Sequence, residues 1–241
     1  MKKSLFISLF LLVSITCNTV SAQYSKLSDF DDKMIHFGFA LSYNNSDYYI
    51  QRSLEHQFAD DSLQSLIVAS KPGFTLGVIS SINFNPNFKL RFAIPSLSFQ
   101  ERDLEYTYLD PSNGATYMLK KAIRPVYLEF PAMLKFRTDR IENWAAYGIT
   151  GIRFGIDMAS DKDVNNLSAS SEDQIVKIKK TDFGFEVGGG FDFFLEYFKF
   201  GIELKLGAGM MNLHLDENTS FDNPIDFLRS KVWTLSLTFE G

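Results

Sequence analysis

The sequence predicts an all-β protein: an eight-stranded antiparallel up-and-down transmembrane β-barrel with a polar, side-chain-filled interior. Three observations carry this. Eight segments alternate apolar and polar residues with a period of two, the mark of strands with two unlike faces. The connections between them alternate long and short without exception. The polar parity carries full charges and glycines, where a water-facing sheet would carry mostly Ser and Thr.

The first segment, 34–43, sets Ile35, Phe37, Phe39, Leu41 and Tyr43 against His36, Gly38, Ala40 and Ser42. The second, 73–84, sets Phe74, Leu76, Val78, Ile82 and Phe84 against Gly73, Thr75, Gly77 and Ser81. In the third, 88–106, Phe88, Leu90, Phe92 and Ile94 share a face. Leu97 and Phe99 take over after Pro95, which predicts a bulge where the ring nitrogen has no ladder donor. The fourth, 124–137, opposes Val126, Leu128, Phe130, Leu134 and Phe136 to Tyr127, Glu129, Lys135 and Arg137. The fifth, 144–157, opposes Ile152, Phe154 and Ile156 to Arg153 and Asp157. The sixth, 181–194, opposes Phe183, Phe185, Val187, Phe191 and Phe193 to Asp182, Glu186, Asp192 and three glycines of the same parity. The seventh, 198–211, opposes Phe198, Phe200, Ile202, Leu204 and Leu206 to Lys199, Glu203 and Lys205. The eighth, 231–240, opposes Trp233, Leu235, Leu237 and Phe239 to Thr234, Ser236, Thr238 and Glu240.

The connections at 44–72, 107–123, 158–180 and 212–230 are long, and those at 85–87, 138–143 and 195–197 are short. Outer-membrane barrels have short periplasmic turns and long extracellular loops, and an even strand number leaves both chain ends on the short-turn side. Asn85-Pro86-Asn87 is good turn chemistry. The stretch 52–69 has room for a short helix and is read as loop.

The first 22 residues read as a cleaved leader: Lys2 and Lys3, an apolar run over Leu5–Ile15, and Val20-Ser21-Ala22 before the cut. Ser14-Ile15-Thr16 is a poor lipobox for Cys17. Residues 23–241 then form one barrel domain with no cysteine, so an exported chain must be stable without disulfides. Losing Lys2 and Lys3 takes the net charge from −5 to −7, which argues against nucleic-acid binding. Mean hydropathy is −0.06, as expected when every second strand residue is polar.

The candidate interior residues are Glu129, Lys135, Arg153, Asp157, Asp182, Glu186, Asp192, Glu203 and Lys205. They could line a gated or proton-linked path. The expectation is that they pair and fill the lumen, because eight strands leave space for side chains and little else. An open pore is therefore not expected. Neither is catalysis: of His36, His56 and His214, the first lies at the periplasmic end, and His214 has only nearby Asp216 to suggest a dyad. No two histidines have metal-ligand spacing, and the loop 157–166 has no calcium-loop pattern. The glycines of GFEVGGG lie on a strand with no helix after them, so they cradle no nucleotide. No cofactor and no small-molecule substrate is expected. The sequons at Asn166 and Asn218 read as chance loop composition.

Six stretches are similar to the PorT family of Bacteroidota: KMIHFGFAL, ASKPGFTLGVIS, FKLRFAIPSLSFQER followed by LEY, YLEFPAMLKFRTDR, GFEVGGGFDFFLEYFKFGIELKLGAGM and SKVWTLSLTFE. Together they span roughly 34–240. That family belongs among outer-membrane barrels of the OmpA and OmpX type. The resemblance implies an accessory of the type IX secretion system, needed for export and maturation of cargo with a C-terminal sorting domain and, in gliding species, for motility. Its implied partners are outer-membrane lipid and type IX components. It brings no catalytic or cofactor residue. One departure is the ending, where Phe239 is followed by Glu240 and Gly241 in place of a terminal aromatic. The alternative is a structural or adhesive barrel whose loops bind an external partner.

Overall fold

Runs of alternating Phe, Leu, Ile and Val cannot bury both faces, so the sheet must curl until one parity is enclosed and no edge is left over. A computed structural model of the protein, which describes residues 27, 30–53, 62–161, 174–217 and 219–241, shows that closure. The strands are β1 (Ile35–Arg52), β2 (Leu63–Asn83), β3 (Phe88–Phe99), β4 (Arg102–Leu109), β5 (Thr116–Ile123), β6 (Val126–Arg137), β7 (Trp144–Asp157), β8 (Thr181–Phe194), β9 (Lys199–Gly209) and β10 (Ile225–Glu240). Eight of them, β1, β2, β3, β6, β7, β8, β9 and β10, form a ring of antiparallel pairs, closed where β1 meets β10 from Gly38↔Glu240 upward.

The other two strands are continuations. The register of β2 on β3 ends at Phe74↔Phe99 and resumes on β4 at Ser70↔Arg102. Likewise Phe99↔Val126 joins β3 to β6, and Arg102↔Ile123 joins β4 to β5. The third barrel strand thus runs through β3 into β4 with a break at Gln100–Glu101. The fourth runs from β5 into β6 with a break at Arg124–Pro125. The bulge expected at Pro95 is present: the β3–β6 register shifts between Phe92 and Ser96. The short turn after β2 is an Asx turn, in which Asn85 Oδ1 accepts the amides of Asn87 and Phe88 at 3.0 and 2.7 Å.

The long connections are corrected by these strands. Residues 44–52 and 63–72, expected as loop, belong to β1 and β2, and 116–123, also expected as loop, is β5. Residues 63–69 are therefore neither loop nor helix. The leader over 1–22, His56 and the sequon residues Asn166 and Asn218 lie outside the described residues.

The reason these extensions escape pattern reading is a reversal of polarity along single strands. The outward parity of β1 runs Phe37, Phe39, Leu41 and Tyr43, all about half exposed, and then Asn45 and Asp47. The inward parity runs His36, Gly38, Ala40, Ser42, Asn44 and Ser46, and then apolar Tyr48. β10 changes the same way, from outward Trp233 to outward Lys231, with Leu228 and Val232 inside. Below the reversal the barrel is apolar outside and charged inside. Above it the same strands enclose an apolar core of Tyr48, Leu66, Leu104, Tyr106, Phe221 and Leu228, among others. Water on both the outside and the end of this upper section makes the ordinary burial pattern the stable one there.

Candidate functional site

The enclosed parity brings cations and carboxylates from different strands within contact. Arg153 on β7 donates to Glu129 of β6 at 2.6 Å and to Asp182 of β8 at 3.0 Å. Ser230 donates to the same Asp182, and Gln100 donates to Glu129 at 3.1 Å. Nearer the short turns, Arg91 of β3 forks between Glu203 and Glu240, at 2.7 Å each. Tyr147 donates to Glu203 at 2.9 Å, and Lys199 to Glu240 at 2.9 Å. Lys135 meets Asp192 at 2.8 Å, and Lys205 meets Glu186 at 3.1 Å. An arginine fork shared by two carboxylates satisfies the geometry that tolerated buried charge requires.

Eight of the nine residues singled out from the sequence lie in these contacts. Asp157 stands apart. It accepts the amides of Val126 and Ala159 at 3.0 Å each and holds backbone at the upper end of β7. His214 is nearest Asp222, at 3.5 Å, and not Asp216. The candidate interior set leaves out Lys89, Arg91, Lys199 and Glu240, although Lys199 and Glu240 already stand on the polar parity of their strands. All four sit on the inward parity of recognised strands, so the alternation itself was a sufficient signal. Inner-face glycines make the close packing possible: a Cβ on Gly188 or Gly190 would strike the carbonyl oxygen of Leu204 or Ile202 on β9.

Both ends of the lumen are stopped. At the upper end, Arg102, fully buried, donates to Gln100 and Tyr48 and stacks on the Tyr48 ring beneath the apolar core. At the lower end, the chain before β1 folds into the mouth. Asp31 accepts two bonds from Arg137, at 2.9 and 2.8 Å, and one from Lys89 at 3.0 Å. Phe30 stacks on His36 with ring centroids 3.8 Å apart. Between the stops, a cavity of about 70 Å³ remains beside Arg91, Arg153, Glu203 and Lys205, enough for several waters but not for a channel.

A family model for the outer membrane protein beta-barrel domain matches residues 21–215. The chain belongs to that family. As an outer-membrane β-barrel it sits in the outer membrane, with the exposed Phe, Leu, Ile and Val parity in lipid and the short turns toward the periplasm. Among solved structures it is similar to OprG of Pseudomonas aeruginosa, at 15% identity and a TM-score of 0.42, covering 86% of this chain and 93% of OprG. It is also similar to Ail, the attachment invasion locus protein of Yersinia pestis, solved with the heparin analogue sucrose octasulfate. There the identity is 13% and the TM-score 0.42, with 87% of this chain and 100% of Ail covered. Neisserial surface protein A matches at 13% identity and a TM-score of 0.33, covering 83% of this chain and 95% of its own. No curated protein matches the chain.

The periplasmic stop of this outer-membrane barrel carries a pH dependence. Burial disfavours the ionised form of Asp31, but Arg137 and Lys89 outweigh it and hold the carboxyl well below the usual carboxylate range. A carboxyl depressed in the folded state contributes stability that is fully present above its unfolded value of about 3.9 and is lost as pH falls through the folded value. Asp31→Asn is therefore expected to lower the urea midpoint at pH 7 and to narrow its deficit against wild type at pH 3. A deficit that stays constant with pH would show that the carboxylate's charge is not what holds the stop.

Proposed function

We propose that this outer-membrane barrel is an accessory of type IX protein export, working through its surfaces and not through its lumen. The observation that carries the second half is the obstructed interior, with Arg91 and Arg153 each bound to two carboxylates from other strands and both mouths filled. The first half rests on the resemblance to PorT proteins along the six stretches quoted above. In this reading the barrel is an anchor that presents periplasmic turns and outer loops to components of the export machine, and it handles no cargo inside.

The deciding experiment is cargo location in a strain lacking the gene. A protein with a type IX sorting domain is expected to vanish from the medium and to accumulate unprocessed in the periplasm, with export restored by a plasmid copy. Normal export in the deletion strain removes the secretion reading.

A second reading, an adhesive or structural barrel, is favoured by one feature. The paired extensions of β1, β2, β4, β5 and β10 carry these strands beyond the lipid band around an apolar core. On that reading, proteolytic shaving of the loops on whole cells abolishes binding of an external partner while export stays normal.

A further inference from the structure

The two residues that stop the periplasmic mouth occupy it as a ligand would. Phe30 and Asp31 precede β1 and belong to no ladder; the amide of Phe30 bonds only within its own segment, to Leu27 O at 3.1 Å. What holds the pair is side-chain chemistry. Asp31 lies against Arg137 and Lys89, whose side chains are 2% and 1% exposed. Among the described residues it is the only carboxylate within ion-pair distance of either cation. Arg140 stands 3.7 Å away as a third positive group. Phe30, 4% exposed, has the ring of His36 against its face and the ammonium of Lys199 4.6 Å from its centroid, with Lys89 at 5.4 Å and the edge of Phe194 beside it.

The socket itself is built by the barrel. His36 lies at the start of β1, Lys89 is second in β3, Arg137 closes β6, Phe194 closes β8 and Lys199 opens β9, so its parts come from five strands that the ring fixes in place. Two near-buried cations that lose their one shared carboxylate are left as uncompensated charge, which favours any anion able to take its place. The occupant is attached to the barrel through the few residues before Ile35, which gives it an effective concentration in the millimolar range, and Arg140 adds a bond to Leu27 O at 3.2 Å.

We infer that the periplasmic mouth is a binding site for a peptide turn carrying an aromatic residue followed by an acidic one, and that Phe30–Asp31 fills it in cis until such a partner segment displaces it. The ring enters the His36–Phe194 slot between the ammonium groups, where cation–π attraction favours it. The carboxylate takes the Arg137 fork and Lys89. A peptide that must compete with a tethered copy binds with an affinity reduced by the fraction of open sites. This inference does not depend on the secretion reading, because it concerns the barrel alone.

The test uses residues 23–241 folded in detergent micelles and a fluorescein-labelled peptide with the sequence of Ser28–Lys33, read by fluorescence anisotropy. The double variant Phe30→Ala, Asp31→Ala is expected to bind the peptide at least tenfold more tightly than wild type. Adding Arg137→Gln to that variant abolishes binding, and a peptide with Asn at each Asp position fails to bind. Circular dichroism and heat-modifiable gel mobility establish that each barrel is folded. Should the double variant fold poorly, Asp31→Asn keeps the side chain's shape and gives a gain in the same direction. Equal binding to wild type and to either uncovered variant overturns the inference, as does equal binding of the Asn peptide, which would mean adhesion of the ring alone.

Discussion

Replacing Arg91 with methionine is expected to destabilise the barrel by about 3–5 kcal/mol, measured as the shift in urea unfolding free energy in lipid vesicles. Arg91 spans the lumen between Glu203 and Glu240, and both are almost wholly buried. Methionine of similar length leaves the packing largely in place and removes the charge. Glu240 then keeps Lys199 at 2.9 Å, while Glu203 keeps Tyr147 and a distant Lys205 at 3.8 Å. Glu203 is thus the carboxylate stranded without a close cation. Adding Glu203→Gln to the methionine variant should recover part of the loss, because an uncharged amide is less costly to leave there. Glu203→Gln alone also destabilises, since it leaves the Arg91 fork half used. A loss under about 1 kcal/mol for Arg91→Met would mean that water in the adjoining cavity screens these charges, and the lumen would then be wetter than its packing implies.

Leu204→Arg is expected to cost about 2–4 kcal/mol in vesicles, the penalty for a cation on the lipid face near the bilayer midplane. Leu204 lies in the middle of β9 and is 52% exposed, while its neighbour Lys205 already carries a positive charge on the opposite face. One residue of offset thus separates a tolerated cation from a costly one. The matching control lies on the upper section of β1. Tyr49 is as outward-facing as Leu204, at 63% exposed, and it pairs with Arg229 beyond the reversal at Asn45 and Asp47. Tyr49→Glu should fall within about 0.5 kcal/mol of wild type, as surface changes usually do. If Leu204→Arg were equally mild, the outward parity of β9 would be facing water or protein, and the lipid band would have to be redrawn.

These two substitutions mark the border between what the chain states locally and what it states only when folded. A period of two assigns residues to two faces, and the character of those faces tells which one must be enclosed. Phe, Leu and Ile recur on one parity of 198–211 while Lys199, Glu203 and Lys205 share the other, so inside and outside are legible in the sequence. So was the alternation of short and long connections that sets the orientation. The upper sections of β1, β2, β5 and β10 were not legible, because they lie where the contrast reverses above the lipid band. A stretch such as SYNNSDYYIQR mixes the end of one pattern with the start of its opposite, and read in isolation it resembles loop.

Which charge meets which could not be read either. Pairing in the lumen depends on the tilt and register of closure, which bring Arg91 of β3 across to Glu203 of β9 and Glu240 of β10. No spacing along the chain encodes that distance. Asp31 is the extreme case, since it lies outside every alternating segment and acquires partners only because the ring sets Lys89 and Arg137 beneath it. The sequence by itself determined the number of barrel strands, their two faces and the polar interior, because side-chain periodicity and lipid solvation are local properties of a strand. The tertiary structure alone decided the ion-pair partners, the height at which lipid gives way to water, and the closing of both mouths, because each depends on distances across the ring that exist only once it has closed.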